Sequence, residues 1–88
     1  MSTTTLRQKR LARRAARSAW MRCGGNLQVA EKMFRDEIAL ESIDPQTLMI
    51  LLQIALMLWK WWSENNVKEP SVVASSDEPI DWENGEDD

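Results

Sequence analysis

Histidine and tyrosine are absent from this chain of 88 residues, and cysteine occurs once, at Cys23. Without histidine the chain lacks the commonest general base and metal ligand. A Cys–His dyad, a Ser–His–Asp triad and the zinc sites that are built from cysteine and histidine pairs are therefore excluded. A single cysteine forms no internal disulfide, so we expect Cys23 to be a small buried residue at a helix end rather than part of a disulfide framework.

Glycine is also scarce, with three residues in the chain. Two of them are adjacent, Gly24 and Gly25, and they do not fit the spacing of the glycine-rich loops that bind phosphates. Together these absences predict a protein that is not an enzyme and that has no cofactor and no metal site.

The N-terminus lacks the apolar stretch of a secretory signal, since none occurs before residue 23. Its arginine-rich, acid-free composition is shared with organelle transit peptides, but little folded chain would remain after its removal. We expect an intracellular or virion-associated protein, and membrane association stays open.

Charge is present in quantity and is strongly partitioned, although the formal net charge is only −3. Residues 1–22 contain seven basic and no acidic residues, residues 23–66 three basic and six acidic, and residues 67–88 one basic and eight acidic. An acidic segment with little apolar surface does not offset the entropy cost of ordering. The sequence therefore predicts a basic amphipathic helical arm at 1–22, a helical hairpin at 23–66 and an acidic disordered tail at 67–88.

Capping residues and hydrophobic periodicity predict an all-α fold with two to three helices. The first helix is expected from about Thr5 to Arg22, ended by the two glycines that follow Cys23. The second is expected from about Leu27 to Ser42, with Asn26 as its N-cap. Asp44 before Pro45 is a strong start signal for a third helix, which should run to about Asn65.

The second helix has an apolar face about half its circumference wide. One apolar stripe contains Leu27, Ala30, Phe34 and Ile38, and an adjoining stripe contains Val29, Met33 and Leu40. Glu37 and Glu41 project from within this apolar arc.

The third helix is apolar almost all round, apart from one polar stripe of Gln46, Gln53 and Lys60. The apolar face of the second helix is too narrow to cover the third helix, so we do not expect a self-sufficient globular core. Soluble monomers rarely leave so much contiguous apolar surface exposed unless it binds something. The residues expected at such an interface are Leu48, Ile50, Leu51, Leu52, Ile54, Leu56, Leu58, Trp59, Trp61 and Trp62.

Three interpretations of this helix stay open. The favoured one is burial against other protein chains, in a homo-oligomer or a larger assembly. The second is a short or interfacial membrane anchor, because Trp59, Trp61 and Trp62 suit a bilayer interface. Its apolar length of roughly 22 Å is short of the roughly 30 Å bilayer core. The third is a monomeric three-helix domain.

The first helix carries Arg10, Arg13, Arg14 and Arg17 on one face and alanines on the other. Such a face predicts sequence-independent contact with nucleic acid phosphates or with an acidic protein partner. It would also suit an anionic bilayer, a solvated helix surface, or pairing with Glu31, Glu37, Glu41 or the acidic tail, within the chain or between subunits. A helix-turn-helix is not expected, because the second helix carries several acids that a recognition helix should lack.

The acidic tail contains one apolar pair, Ile80 and Trp82, flanked by acids. This pair is either a docking peptide or two exposed residues without a role. A basic arm, an apolar helix that ends in tryptophans and an acidic tail together resemble, in general character, the small structural components of virus and phage particles. The resemblance implies a structural interaction protein of a virion and is carried by no diagnostic residue.

Overall fold

The computed structural model describes residues 6–72 and 77–80 of the chain. Within them the fold is all-α, with no strand and with three helices: α1 (Leu6–Arg22), α2 (Leu27–Ala39) and α3 (Pro45–Glu64). The predicted fold class is thus confirmed. Ser2, Thr3, Thr4 and Thr5 are possible caps of the first helix by residue type, and they lie outside the described residues.

The turn between α1 and α2 forms as its glycines predict. Gly24 and Gly25 have φ angles of 62° and 88°, in the left-handed region that favours glycine. Asn26 then caps α2, because its side-chain oxygen accepts hydrogen bonds from the backbone N–H groups of Gln28 and Val29 at 3.0 and 3.3 Å. Cys23 is buried beside this turn, as expected.

Helix α2 ends at Ala39 rather than at Ser42, so the predicted end is three residues too late. The N–H groups of Leu40 and Glu41 donate to carbonyls three residues back, which tightens the last turn. Ser42 then has a φ of 56°, a left-handed conformation that stops the helix. Two residues later Asp44 is extended, with φ −69° and ψ 157°, and caps the next helix.

Helix α3 begins and ends close to its predicted residues. The carboxylate of Asp44 accepts a hydrogen bond from the Thr47 hydroxyl at 2.6 Å and from the Thr47 backbone N–H at 3.2 Å. Pro45 occupies the first turn, where its missing N–H costs nothing. Asn65 is the C-cap, and Asn66 takes the left-handed position with a φ of 56°.

The core lies where α1 packs against both other helices through its alanine face. The small side chains of α1 leave room beside its backbone. Large residues of the partner helices therefore pack directly against it. Trp59 is buried against α1 and donates its indole N–H to the carbonyl oxygen of Ala16 at 3.0 Å. Phe34 of α2 packs edge-on against the same indole, with ring centroids 5.9 Å apart. The buried alanines of α1 are Ala12, Ala15, Ala16 and Ala19.

The third helix buries much of the apolar surface that was predicted for an interface within its own chain. Six of the ten expected interface residues lie inside the protein's own core: Leu51, Leu52, Ile54, Leu58, Trp59 and Trp62. The physical reason is that α1 supplies an alanine-lined cover in addition to α2. In this fold these six side chains are not accessible to a protein partner or to lipid.

The outer face of α3 carries the polar stripe of Gln46, Gln53 and Lys60, and all three residues are exposed. In the part of the chain that the structure describes, no helix combines the length and the apolar character needed to cross a bilayer.

Candidate functional site

The four arginines predicted to share a face of α1 form a compact array on the helix surface. Arg10 and Arg14 are four residues apart, as are Arg13 and Arg17, and such pairs have neighbouring side chains. The structure divides the array, because Arg10 and Arg14 are exposed whereas Arg13 is buried and Arg17 is half-buried. We name Arg10 and Arg14 the outer row, and Arg13 and Arg17 the inner row.

The inner row is covered by residues 67–72 and 77–80, which we name the C-terminal strap. Arg13 makes a bidentate contact with Glu78: Nε donates to Oε1 at 2.9 Å and Nη2 donates to Oε2 at 2.7 Å. The two side chains are only 6% and 3% exposed. Nη1 of Arg13 donates to the carbonyl oxygens of Ser71 at 2.7 Å and Val72 at 3.1 Å. Each of the three guanidinium nitrogens of Arg13 therefore donates to the strap.

Two further side chains of α1 donate to the backbone of the C-terminal strap. Arg17 Nε lies 2.6 Å from the Pro70 carbonyl oxygen, and Trp20 Nε1 lies 2.9 Å from the Val67 carbonyl oxygen. These contacts follow the helix from Arg13 to Trp20, so α1 holds the strap along two helical turns.

Trp62 of α3 forms the floor beneath Arg13. The guanidinium carbon of Arg13 lies 5.8 Å from the centroid of the Trp62 ring, within the range of a cation–π contact. Trp20 packs against the same indole, with centroids 6.1 Å apart. The Trp62 indole N–H is buried and has no hydrogen-bond partner among the described residues. Arg13 is thus enclosed between an aromatic floor and the strap, where removal of one partner of a buried ion pair typically costs about 3–5 kcal/mol.

The three acids in and just after α2 that were considered as partners for the array do not reach it in this fold. Glu31 pairs instead with Arg35 of its own helix at 2.9 Å. Glu37 is half-buried, with Oε2 enclosed and lacking a hydrogen-bond partner in the described part of the chain, and Glu41 is exposed. Pairing of the array with the acidic tail, one of the open alternatives, is what the structure shows for Arg13.

Glu78 was not among the candidate site residues from the sequence. The sequence signal for Glu78 was its position two residues before Ile80. If Ile80 is buried, the nearby carboxylate is held close to the surface of the core. Ile80 itself is 8% exposed and belongs to the core cluster, so it docks within its own chain. Trp82, like the rest of residues 81–88, lies outside the described residues, as do residues 73–76.

The remaining expected interface residues lie at the edge of the core. Leu48, Ile50 and Trp61 are half-buried, and Leu56 is 44% exposed. The exposed apolar side chains are Leu27 and Val29 on α2, Leu40 directly after it, and Met49, Leu56 and Met57 on α3. On α3 they flank the polar stripe rather than form one continuous apolar face.

Comparison with known proteins gives no family assignment: no protein-family model, no curated protein and no solved structure matches this chain.

Proposed function

We propose that this protein is a small, non-enzymatic helical interaction protein whose α1 binds nucleic acid through its phosphates, without sequence preference. The observation that carries the proposal is the outer row, Arg10 and Arg14, which is exposed on a helix fixed by the core. No acidic residue occurs in residues 1–22 to neutralise this row from its own helix.

A row of arginines with no acid among them, on a rigid helix, suits phosphate binding for two reasons. Each phosphate contact releases counterions, so affinity falls steeply as salt rises. The guanidinium group also matches phosphate geometry through two parallel donors. Contacts of this kind position a protein on the backbone and carry no base information.

The burial of the alanine face supports nucleic acid over a membrane as the proposed partner. A helix that lies in a bilayer interface inserts its apolar side. In α1 that side faces the protein core, from Ala12 to Ala19, and is not accessible to lipid. The arginines alone would give a surface attraction to anionic lipid, whereas a duplex offers a dense row of phosphates.

The test compares two double variants that each remove two positive charges. Arg10→Gln with Arg14→Gln removes the outer row, and Lys32→Gln with Arg35→Gln removes two exposed charges from α2. Binding of short duplex DNA is measured by fluorescence anisotropy at several salt concentrations. The outer-row variant should bind more weakly, and the slope of log affinity against log salt should decrease by about 2.

The α2 variant serves as the matched control and should keep the wild-type slope. Equal losses in both variants would mean that only net charge matters and would contradict the proposal. Absence of salt-dependent binding by the wild type would do so as well. Flotation with anionic vesicles that is stronger than DNA binding would favour the membrane alternative instead.

A second candidate function, assembly with other protein chains, is favoured by the exposed apolar side chains of α2 and α3. Leu40 is 82% exposed and Met49 is 53% exposed. Neither residue belongs to the ten that the sequence predicted for assembly, six of which are buried in the core. Sedimentation velocity without detergent tests this function: a concentration-dependent oligomer is expected, and a monomer at micromolar concentration contradicts it.

A further inference from the structure

We infer that the C-terminal strap is an internal competitor of nucleic acid, which occupies the inner arginine row until a polyanion displaces it. This inference rests on the proposed function and concerns the regulation of the same face. It assigns Glu78 the role of an internal anion whose carboxylate takes the place of a bound phosphate on Arg13.

The contacts of Arg13 make the two occupants mutually exclusive. Its Nε and Nη2 atoms donate hydrogen bonds to the two carboxylate oxygens of Glu78. Arginine binds a phosphate through the same arrangement of two donors. Its Nη1 atom is bound to the carbonyl oxygens of Ser71 and Val72. Since every guanidinium nitrogen already donates to the strap, a phosphate binds Arg13 only after the strap has left.

The two rows lie next to each other, so a ligand of one row meets the other. Arg10 is three residues before Arg13, and Arg14 is three residues before Arg17; residues at this spacing have Cβ atoms roughly 5–6 Å apart. A duplex that contacts the exposed outer row therefore brings phosphates beside the strap. Release of the strap would convert a two-arginine contact into a four-arginine contact.

Two opposing terms decide which anion the inner row holds. The strap belongs to the same chain, which gives Glu78 a high effective concentration at Arg13. Nucleic acid brings many phosphates and gains free energy from counterion release, and this gain is largest at low salt. Nucleic acid should therefore displace the strap from Arg13 at low salt, and the strap should bind Arg13 again as salt rises.

The main experiment compares Glu78→Gln with Glu69→Gln. Both variants remove one negative charge from the strap, but Glu69 is exposed whereas Glu78 is buried on Arg13. Binding of short duplex DNA is measured by fluorescence anisotropy between about 50 and 200 mM salt, the range over which phosphate contacts change affinity strongly. Relative to Glu69→Gln, the Glu78→Gln variant should bind several-fold more tightly, with a salt slope steeper by about 1 to 2.

A second measurement uses the unaltered protein and does not depend on how a variant folds. The Nε–H of Arg13 donates to Glu78, and the indole N–H of Trp59 donates to Ala16 inside the core. In a nitrogen–proton NMR titration with the same DNA, the Arg13 signal should move, whereas the Trp59 indole signal should stay in place.

The outcomes separate this inference from the proposed function. If the wild type binds DNA while the two variants agree in affinity and slope and the Arg13 signal stays fixed, the strap is not a competitor and the proposed function stands. If neither the wild type nor Glu78→Gln binds DNA, both are overturned. Movement of the Trp59 signal together with that of Arg13 would indicate general unfolding and would also overturn the inference.

Discussion

At the residue scale, the environment of each side chain decides what an arginine of α1 does. Arg10 and Arg13 are equivalent in the sequence, since both belong to the face that helical spacing defines. The structure leaves Arg10 in water and buries Arg13 against Glu78 and the Trp62 ring. Spacing therefore predicts which arginines share a face, but it does not predict which are covered, because the covering carboxylate lies 65 residues away in the chain.

Asp44 is a second residue whose local contacts have a measurable consequence. The Thr47 hydroxyl, and then the Thr47 backbone N–H, donate to this carboxylate and hold its pKa below its ordinary value. A depressed pKa in the folded state stabilises the fold above the unfolded-state pKa, and this contribution is lost as pH falls through the folded-state pKa. The cap of α3 should therefore weaken in acid.

We expect the variant Asp44→Asn to reveal this loss. The quantity to compare is the free energy of unfolding of the wild type and of the variant as pH changes. The free energy of unfolding of the wild type should exceed that of the variant at neutral pH. The difference should shrink as pH falls below 3.8, the ordinary value for this carboxyl group. Urea denaturation across pH measures it, with Asp36→Asn on the exposed side of α2 as the control. A difference that stays constant down to the acid limit would contradict the prediction.

At the scale of elements, the sequence predicts where the helices begin and end better than how they pack against one another. Asn26 and Asp44 are short-range caps, and both act as their residue types predict. The cover of α3 was missed because the alanines of α1 look like a weak apolar face when each is judged by its own size. Their value is geometric, since a small side chain lets Trp59 reach the backbone of Ala16.

The alanine face should consequently be intolerant of larger side chains. Ala16 is fully buried, whereas Ala39 at the end of α2 is exposed. We expect Ala16→Leu to lower the free energy of unfolding by about 1–3 kcal/mol through overpacking. Ala39→Leu, the same change on the surface, should stay within about 0.5 kcal/mol of the wild type. Urea denaturation followed by circular dichroism distinguishes them, and equal effects would show that α1 does not pack closely on α3.

At the scale of the whole molecule, the strap connects the two ends that carry opposite charge. The net charge of −3 is that of residues 23–66, because the basic N-terminal arm (+7) and the acidic C-terminal segment (−7) cancel. The described contacts show that part of this cancellation is spatial, because Glu78 lies on Arg13 and Ile80 enters the core. The sequence predicts the partition of charge and leaves this docking as one of several alternatives, since tail and arm are far apart along the chain.

If the strap is part of the folded unit, its apolar residue should contribute to global stability. Ile80 is 8% exposed, whereas Val72 in the same strap is 76% exposed. We expect Ile80→Ala to lower the free energy of unfolding by about 2 kcal/mol, the low end for such truncations because Ile80 lies at the core edge. Val72→Ala should change it by less than about 0.5 kcal/mol.

The same denaturation curves test whether the strap and the helices unfold together. Helix content from circular dichroism and the environment of the buried tryptophans from fluorescence should give one coincident transition in the wild type and in Ile80→Ala. The transition of the variant should be shifted as a whole, because Ile80 contacts the same core as the helices. If Ile80→Ala instead matched Val72→Ala, the strap would rest on the core without stabilising it, and its contacts with Arg13, Arg17 and Trp20 would hold it in place.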